Sequence, residues 1–455
     1  MHTKHKLPIL LAMLLLLSNA YQTLYAQGVI CSSDSTGLIP LNDLGTSTYE
    51  GFQGGLYPFG SNSEDPLSTH YKNGKTYAKN LKPLDGAGNI NYDNGVVLMA
   101  GYGPSLPGQI MNKFVQIVRD TLDNDYHTNP CFDAMNLCIG GKGLQVAIGD
   151  GADTYWETIV EKVIEKGYTT EQVQVGWMYF NDKYDSLAPP QTFPETPEQV
   201  AEDLITYLHI LMDYFPNMKI MYLSGRHYGG FADTLLEQYP AISEPSSYWN
   251  NFSIKWLIER QINADPALKY YGAGVKAPFI TWGPYFWVDG ETPRATDGVQ
   301  YTCSVFNPED GYHLIDSMYD IEARKLLTHM VNSDFAKNYV KDGVAWANCT
   351  LYADTSLKTI PETLHINDEG IMLYPNPASE TINFYRHDAK GNVYTIEVYN
   401  NIGALVHSES ADGVAYNNIA IDVATLPTGM FTLRVLVDDP LSGNQHWVQE
   451  QFIKQ

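Results

Sequence analysis

VVLMAGYGPSLPGQIMNKFVQIV, residues Val96–Val118, is the stretch on which the fold class turns. Val96–Ala100 is an apolar run of strand length, and Gly101–Gly108 is a turn. Ile110, Phe114, Ile117 and Val118 then recur at helical spacing. The same alternation continues downstream. Asn136–Gly149 holds a second apolar segment broken by four glycines, followed by an expected helix over Trp156–Lys166 with a stop at Gly167. Gln172–Phe180 reads as a strand ending at Asn181-Asp182. Pro197–Tyr214 reads as the clearest helix, with Val200, Leu204, Leu208, Leu211 and Phe215 on one face. Lys219–Gly225 and Pro278–Trp282 are further strands, and Phe252–Asn263 and Asp316–Asn332 further helices. Strands alternating with helices predict an α/β fold of three layers around a mostly parallel sheet. Ligands of such sheets lie beyond the carboxyl ends of the strands. The loops Gly101–Gly108, Asn181–Asp185, Ser224–Gly230 and Asp310–His313 all follow strands and are expected to meet there.

The flanking regions have other characters. A basic start (His2, Lys4, His5, Lys6), an apolar core from Leu7 to Leu17 and a small residue at Ala26 read as a secretory signal over 1–26. Later segments offer no run of 18 apolar residues, so no transmembrane segment is expected in the mature chain. Residues 28 to about 90 are rich in Gly, Asn, Ser and Pro and read as an irregular lead-in. Beyond residue 371, short runs with period-two alternation and turns at Asn400–Gly403 and Pro427–Gly429 predict a small C-terminal β-sandwich. The expected divisions are the signal (1–26), an α/β domain (27–345), a linker (346–370) and the β-sandwich (371–455).

Acids outnumber bases 52 to 28, a formal net charge of −24, which argues against nucleic acid and anionic membrane as partners. The 32 Tyr and 8 Trp supply ample core material and also suit sugar-facing surfaces. Export permits disulfides. Cys131 and Cys138 are spaced to close a small loop, Cys303 and Cys349 to tie the end of the first domain, and Cys31 is left unpaired. There is no Cys-x-x-Cys, and no metal or organic cofactor is called for.

Chemistry concentrates in residues 277–318, where Asp310 stands three residues before His313 ahead of a helix. A carboxylate at that spacing can fix an imidazole's tautomer while the other ring nitrogen takes a proton from a nucleophile. Ser105, after Pro104, is either that nucleophile or a helix cap. Asn181-Asp182 is either a turn or the source of an oxyanion donor. Arg226 and His227 either meet an anionic or sugar group or are structural, and Trp177, Trp282, Tyr285 and Trp287 form either a sugar platform or core.

Two resemblances bear on these residues. Tyr374-Pro375-Asn376-Pro377, the hairpin Ile396–Val406 with Asn400 and Gly403, the turn Leu426-Pro427-Thr428-Gly429 and the final strand ending at Lys454 resemble the type A C-terminal sorting domain of the type IX secretion system of Bacteroidetes. That resemblance implies the type IX machinery as a partner and a secreted or outer-membrane cell-surface location reached through the periplasm. Gly55–Asn62, Gln172–Trp177, Tyr222–Gly230, Phe252–Ile262, Trp282–Gly290 and Asp310–His313 together resemble a divergent group of SGNH (GDSL-like) hydrolases. It implies a flavodoxin-like α/β domain with a Ser nucleophile after the first strand, an oxyanion hole of backbone amides and an Asn, and an Asp-x-x-His. His313 is then the general base and Asp310 its partner. The oxyanion donors are expected among Gly103, Asn181 and Gly143, with Gly140 and Gly141 as neighbouring choices. Gly103 occupies the usual serine position, so Ser105 takes the role only if the Pro104 turn swings it back. Two functions follow: an exported serine esterase acting on carbohydrate or small esters, or an inactive relative serving as a carbohydrate- or surface-binding module.

Overall fold

The computed structural model describes residues 35–119, 128–180, 191–232 and 240–341, and in the C-terminal region 371–374, 378, 380–386, 392–415, 418–438 and 445–454. The expected signal and Asn181 lie outside the described residues, as do Cys31 and Cys349. The chain falls into two compact units that part between Ala353 and Asp354.

A small hairpin, β1 (Thr48–Tyr49) and β2 (Phe52–Gln53), precedes the central strands β3 (Val97–Tyr102), β4 (Phe132–Asn136), β5 (Val173–Met178), β6 (Ile220–Leu223) and β7 (Phe279–Trp282). These five form one parallel sheet in the order β4-β3-β5-β6-β7, the flavodoxin-like arrangement. Alternation along each strand sorts its side chains to the two faces. Val97, Met99, Val175 and Trp177 pack under Leu106, Ile110, Phe114, Leu326 and Leu327 of the helices Ser105–Arg119 and Asp316–Asn332. Leu98, Ala100, Tyr102 and Met221 pack under the helices Ala152–Glu165, Glu195–Tyr214 and Ser246–Ile262. Both faces are covered, so every residue of β3 and β5 is buried, and the strands read as continuous apolar runs.

Three sequence expectations change. The second strand is Phe132–Asn136, ahead of the glycine-broken segment, which instead forms a loop and the short helix Leu144–Ile148. The lead-in contains a helix, Thr69–Asn80, whose buried residues are His70, Gly74 and Ala78; with no large apolar residue on its inner face it has no visible period. The Cys131–Cys138 bridge does not form. Cys138 is a free buried thiol, while Cys131 and Cys303 are each disulfide-bonded. The cause is geometric: β4 runs between the two, and a strand rising about 3.3 Å per residue carries them roughly 20 Å apart, far beyond disulfide reach.

In the C-terminal unit, β10 (Asn392–Asn400), β11 (Leu405–Ala415), β13 (Gly429–Asp438) and β14 (Gln445–Lys454) form an antiparallel sheet in the order β11-β10-β13-β14. The strands β8 (Ile371–Tyr374), β9 (Thr381–Arg386) and β12 (Asn418–Asp422) form a second. Phe384 and Ile421 of the second sheet share one core with Ile396, Val435 and Phe452 of the first.

Phe114 is fully buried on the face that carries the helix Ser105–Arg119. Phe114→Ala is expected to cost about 3–5 kcal/mol through lost transfer energy and the cavity left behind, measured as the change in unfolding free energy from urea denaturation.

Candidate functional site

Strand β3 ends at Tyr102 and the helix begins at Ser105, leaving Gly103 and Pro104 to make the turn. Gly103 has φ +147°, and a Cβ there would lie 2.4 Å from the Tyr179 carbonyl oxygen and 2.6 Å from Pro107 Cγ. Only glycine fits that backbone. The next residue able to present a hydroxyl at the strand edge is Ser105, on the first turn of the helix.

The imidazole arrives from the other end of the sheet. After β7 the chain returns through a loop in which Phe306 and Leu314 form an antiparallel bridge and Asn307 N–H donates to the His313 carbonyl at 2.7 Å. Gly311, at φ +61°, lets the loop turn back on itself. The helix Asp316–Asn332 follows on the same sheet face as Ser105–Arg119, and Lys113 Nζ meets Asp316 Oδ2 across them at 2.8 Å. With both helices starting at the carboxyl edge, Ser105 and His313 come together: Ser105 Oγ lies 2.8 Å from His313 Nε2. His313 Nδ1 lies 2.7 Å from Asp310 Oδ2, while Asp310 Oδ1 accepts the Tyr312 and His313 main-chain N–H groups at 2.8 and 2.9 Å.

The protonation pattern follows from the donors. Burial raises the Asp310 carboxyl, but the bonds from His313 and the Tyr312 and His313 amides outweigh it and hold the group below its ordinary value. An ionised Asp310 only accepts, so His313 Nδ1 carries the proton and Nε2 is free to accept from the Ser105 hydroxyl. The side chains of His313 and Asp310 are 34% and 27% exposed, so the group opens to solvent.

The chain after β4 runs beside this turn, with Ile139 N–H donating to the Gly103 carbonyl at 2.9 Å. It brings Gly140 against the serine: a Cβ on Gly140 would lie 3.8 Å from Ser105 Cβ. Gly143 stands further along, at the cap of the helix Leu144–Ile148.

The expected contact residues lie elsewhere than on an open surface. Trp282 is 2% exposed, and its indole N–H donates to the Leu56 carbonyl at 2.6 Å. The Tyr285 hydroxyl accepts from Leu41 N–H at 2.9 Å. Trp177 and Trp287 are buried as well and Tyr285 is partly buried against the same core, so these rings pack inward and form no open sugar platform. Arg226 and His227 are also buried, with Arg226 over the Tyr312 ring at 5.2 Å and His227 stacked on Phe286 at 4.5 Å. Their loop is held by Glu244, which accepts from Gly229 N–H, Tyr248 N–H and the Trp287 indole. Burial pushes that carboxyl up to about 7 against the pull of these donors. The sequence gives no sign of Glu244 because nothing local marks it; its partners come from three separate segments.

Residues 372–448 match the family described as the secretion system C-terminal sorting domain. The C-terminal unit is a sorting domain. With it, the protein is one destined for secretion or the cell surface by the type IX machinery. Among the described residues, no helix is long and apolar enough to cross a membrane.

No curated protein matches the chain. Among solved structures, it is similar to a GDSL-like lipase of Parabacteroides merdae, at 11% identity and TM-score 0.25 over 53% of this chain and 98% of that one. It is also similar to a Bacillus subtilis protein at 12% identity and TM-score 0.27, over 52% of this chain and 56% of that one. A third similarity is to PorZ, a surface component of the type IX secretion system of Porphyromonas gingivalis, at 15% identity and TM-score 0.14, over 19% of this chain and 11% of that one. The sorting-domain protein thus spans little more than half of the Bacillus chain and a ninth of PorZ. Likenesses of this size carry no argument about activity.

Two outcomes test the local geometry. Gly103→Ala is expected to cost about 1–3 kcal/mol, the range for a strained backbone position, read from the urea midpoint. Because Asp310 is held below its ordinary value, its stabilisation is complete above about pH 5 and is lost as pH falls through the ordinary and then the lowered value. Wild-type unfolding free energy should therefore fall more steeply between pH 5 and pH 2 than that of Asp310→Asn, measured by urea denaturation across that range.

Proposed function

We propose that the α/β unit is a secreted serine esterase with Ser105 as nucleophile, His313 as general base and Asp310 as the residue that orients and charges it. The observation that carries this reading is the 2.8 Å approach of Ser105 Oγ to His313 Nε2, with Asp310 behind at 2.7 Å. A hydroxyl is a weak nucleophile at its own pKa and needs a base within that distance.

In the acylation step, the Ser105 hydroxyl gives its proton to His313 Nε2 as Oγ bonds to the ester carbonyl carbon and the carbonyl electron pair moves to oxygen. Collapse of that tetrahedral species breaks the bond to the alcohol, which leaves with the proton from His313. Water then repeats the sequence on the acyl-serine and releases the acid. Asp310 balances the imidazolium formed in each half. The developing oxyanion needs donors placed beforehand. Ser105 is the first residue of its helix, so its N–H has no acceptor within the helix, and the helix N-terminus favours negative charge there. Gly140, which faces Ser105, is the second donor in this reading in place of Gly143; its N–H meets no acceptor among the described residues.

The substrate is an ester small enough, or projecting far enough, to reach the strand edge. Carbohydrate esters suit an exported enzyme, though the aromatic residues expected to bind the sugar are committed to the core. The alternative of a binding module rested on Gly103 standing where the serine was expected. The 2.8 Å approach of Ser105 Oγ to His313 Nε2, two residues later, supports the esterase over that alternative.

The test is hydrolysis of a small aryl acetate by the purified full chain, beside Ser105→Ala and His313→Ala. Both substitutions are expected to lower kcat/KM by on the order of 10³-fold or more while leaving the circular dichroism spectrum unchanged. A folded wild-type protein with no activity above background on a panel of aryl esters would sink the esterase.

A further inference from the structure

The Ser105 turn and the His313 loop hang from different strands, and one buried polar chain runs between them. Tyr179, just past the end of β5, donates its N–H to the Tyr102 carbonyl at 3.2 Å, and its own carbonyl occupies the space beside Gly103. Its hydroxyl accepts the His227 main-chain N–H at 3.0 Å, which leaves its proton to donate to His227 Nδ1, also at 3.0 Å. That tautomer puts the imidazole proton on Nε2, which stands 4.0 Å from Glu322 Oε2, a separation longer than a hydrogen bond. Neither of those two atoms has another partner among the described residues. Glu322 Oε1 accepts from the Tyr301 hydroxyl at 2.6 Å and Lys325 Nζ at 3.0 Å.

Glu322 stands on the helix Asp316–Asn332, directly after the His313 loop. That helix also reaches back to the loop, where the Tyr319 hydroxyl accepts the Leu314 N–H at 3.1 Å. Arg226, the neighbour of His227, covers Tyr312, whose ring meets His313 edge-on at 4.8 Å.

We propose that the buried chain Tyr179, His227 and Glu322 is a positioning device that sets the separation of Ser105 from His313. Its reach is through Gly103 on one side and through the helix after His313 on the other. This rests on the reading of Ser105 as nucleophile. His227 itself touches no substrate; at 2% exposure it lies behind the site. Burial, reinforced by Lys325, Arg226 and Arg294, holds it well below the ordinary histidine range and so neutral, while burial raises the Glu322 carboxyl despite Lys325 and Tyr301. Packing alone does not account for the chain, because two buried polar atoms without partners destabilise a core that apolar residues would fill at less cost.

The experiment uses the full-length protein and a small fluorophosphonate, following phosphonylation of Ser105 by intact mass from pH 5 to pH 9. Tyr179→Phe, His227→Gln and Glu322→Gln are compared with wild type. The labelling rate constant is expected to fall roughly 10- to 100-fold in each, the scale of a nucleophile displaced by about 1 Å. Combining Tyr179→Phe with Glu322→Gln is expected to cost less than the product of the two, as for members of one network. A purely structural role would lower the labelled fraction and the melting temperature but leave the rate constant and its pH midpoint as in wild type. Folded variants labelled at the wild-type rate overturn the proposal. Glu322→Gln keeps the acceptor for Tyr301, so it decides the matter if the other two fail to fold. No labelling of wild-type protein would instead remove Ser105 as nucleophile, and the proposal would fall with that reading.

Discussion

The close approach of the Tyr179 carbonyl to Gly103 governs where a nucleophile can stand on this sheet. β3 lies between β4 and β5, and the turn after it has room for backbone only. The serine is displaced from the strand end onto the first turn of a helix, where main-chain N–H groups lack helical acceptors and the dipole favours an anion. A steric exclusion at one residue thus places the hydroxyl and its potential oxyanion donor on the same turn.

His313 is delivered by an independent device. The loop from Phe306 to Leu314 closes on itself through main-chain bonds, and Asp310 spends one oxygen on the loop amides and the other on the imidazole. Loop and ring are therefore held by the same carboxylate. The two helices that begin at Ser105 and Asp316 share a sheet face, so the packing that buries Phe114 and Leu326 also brings the two side chains into contact.

The C-terminal sorting domain has its own core and supplies the export address, and in the proposed reading the α/β unit carries the catalytic side chains. Fold alone would not assign that chemistry, since flavodoxin-like sheets host many unrelated functions. What narrows it is the geometry around Ser105, together with the buried polar residues behind it, which an apolar core would not need.

Much of this was legible in the chain itself. Periodicity marked β3, β5 and the helix Asp316–Asn332, because both faces of the sheet are covered and the strands are apolar throughout. The motif Asp310 to His313 was visible because its spacing is local. Helix Thr69–Asn80 was not, since Gly74 and Ala78 meet the core with no large side chain, Gly74 lying against Phe279. The start of Ser246–Ile262 was hidden because its buried polar residues find partners far away, as Asn250 does in the Phe180 carbonyl. Whether Trp282 and Tyr285 faced a ligand or the core depended on Leu56 and Leu41, more than two hundred residues earlier. The sequence by itself determined the α/β layering, most of the alternating strands and helices, and the local Asp310 to His313 spacing. Only the tertiary structure decided that Ser105 rather than residue 103 meets His313, because that choice rests on the carbonyl of a neighbouring strand, and no local pattern reports the distance between two strands.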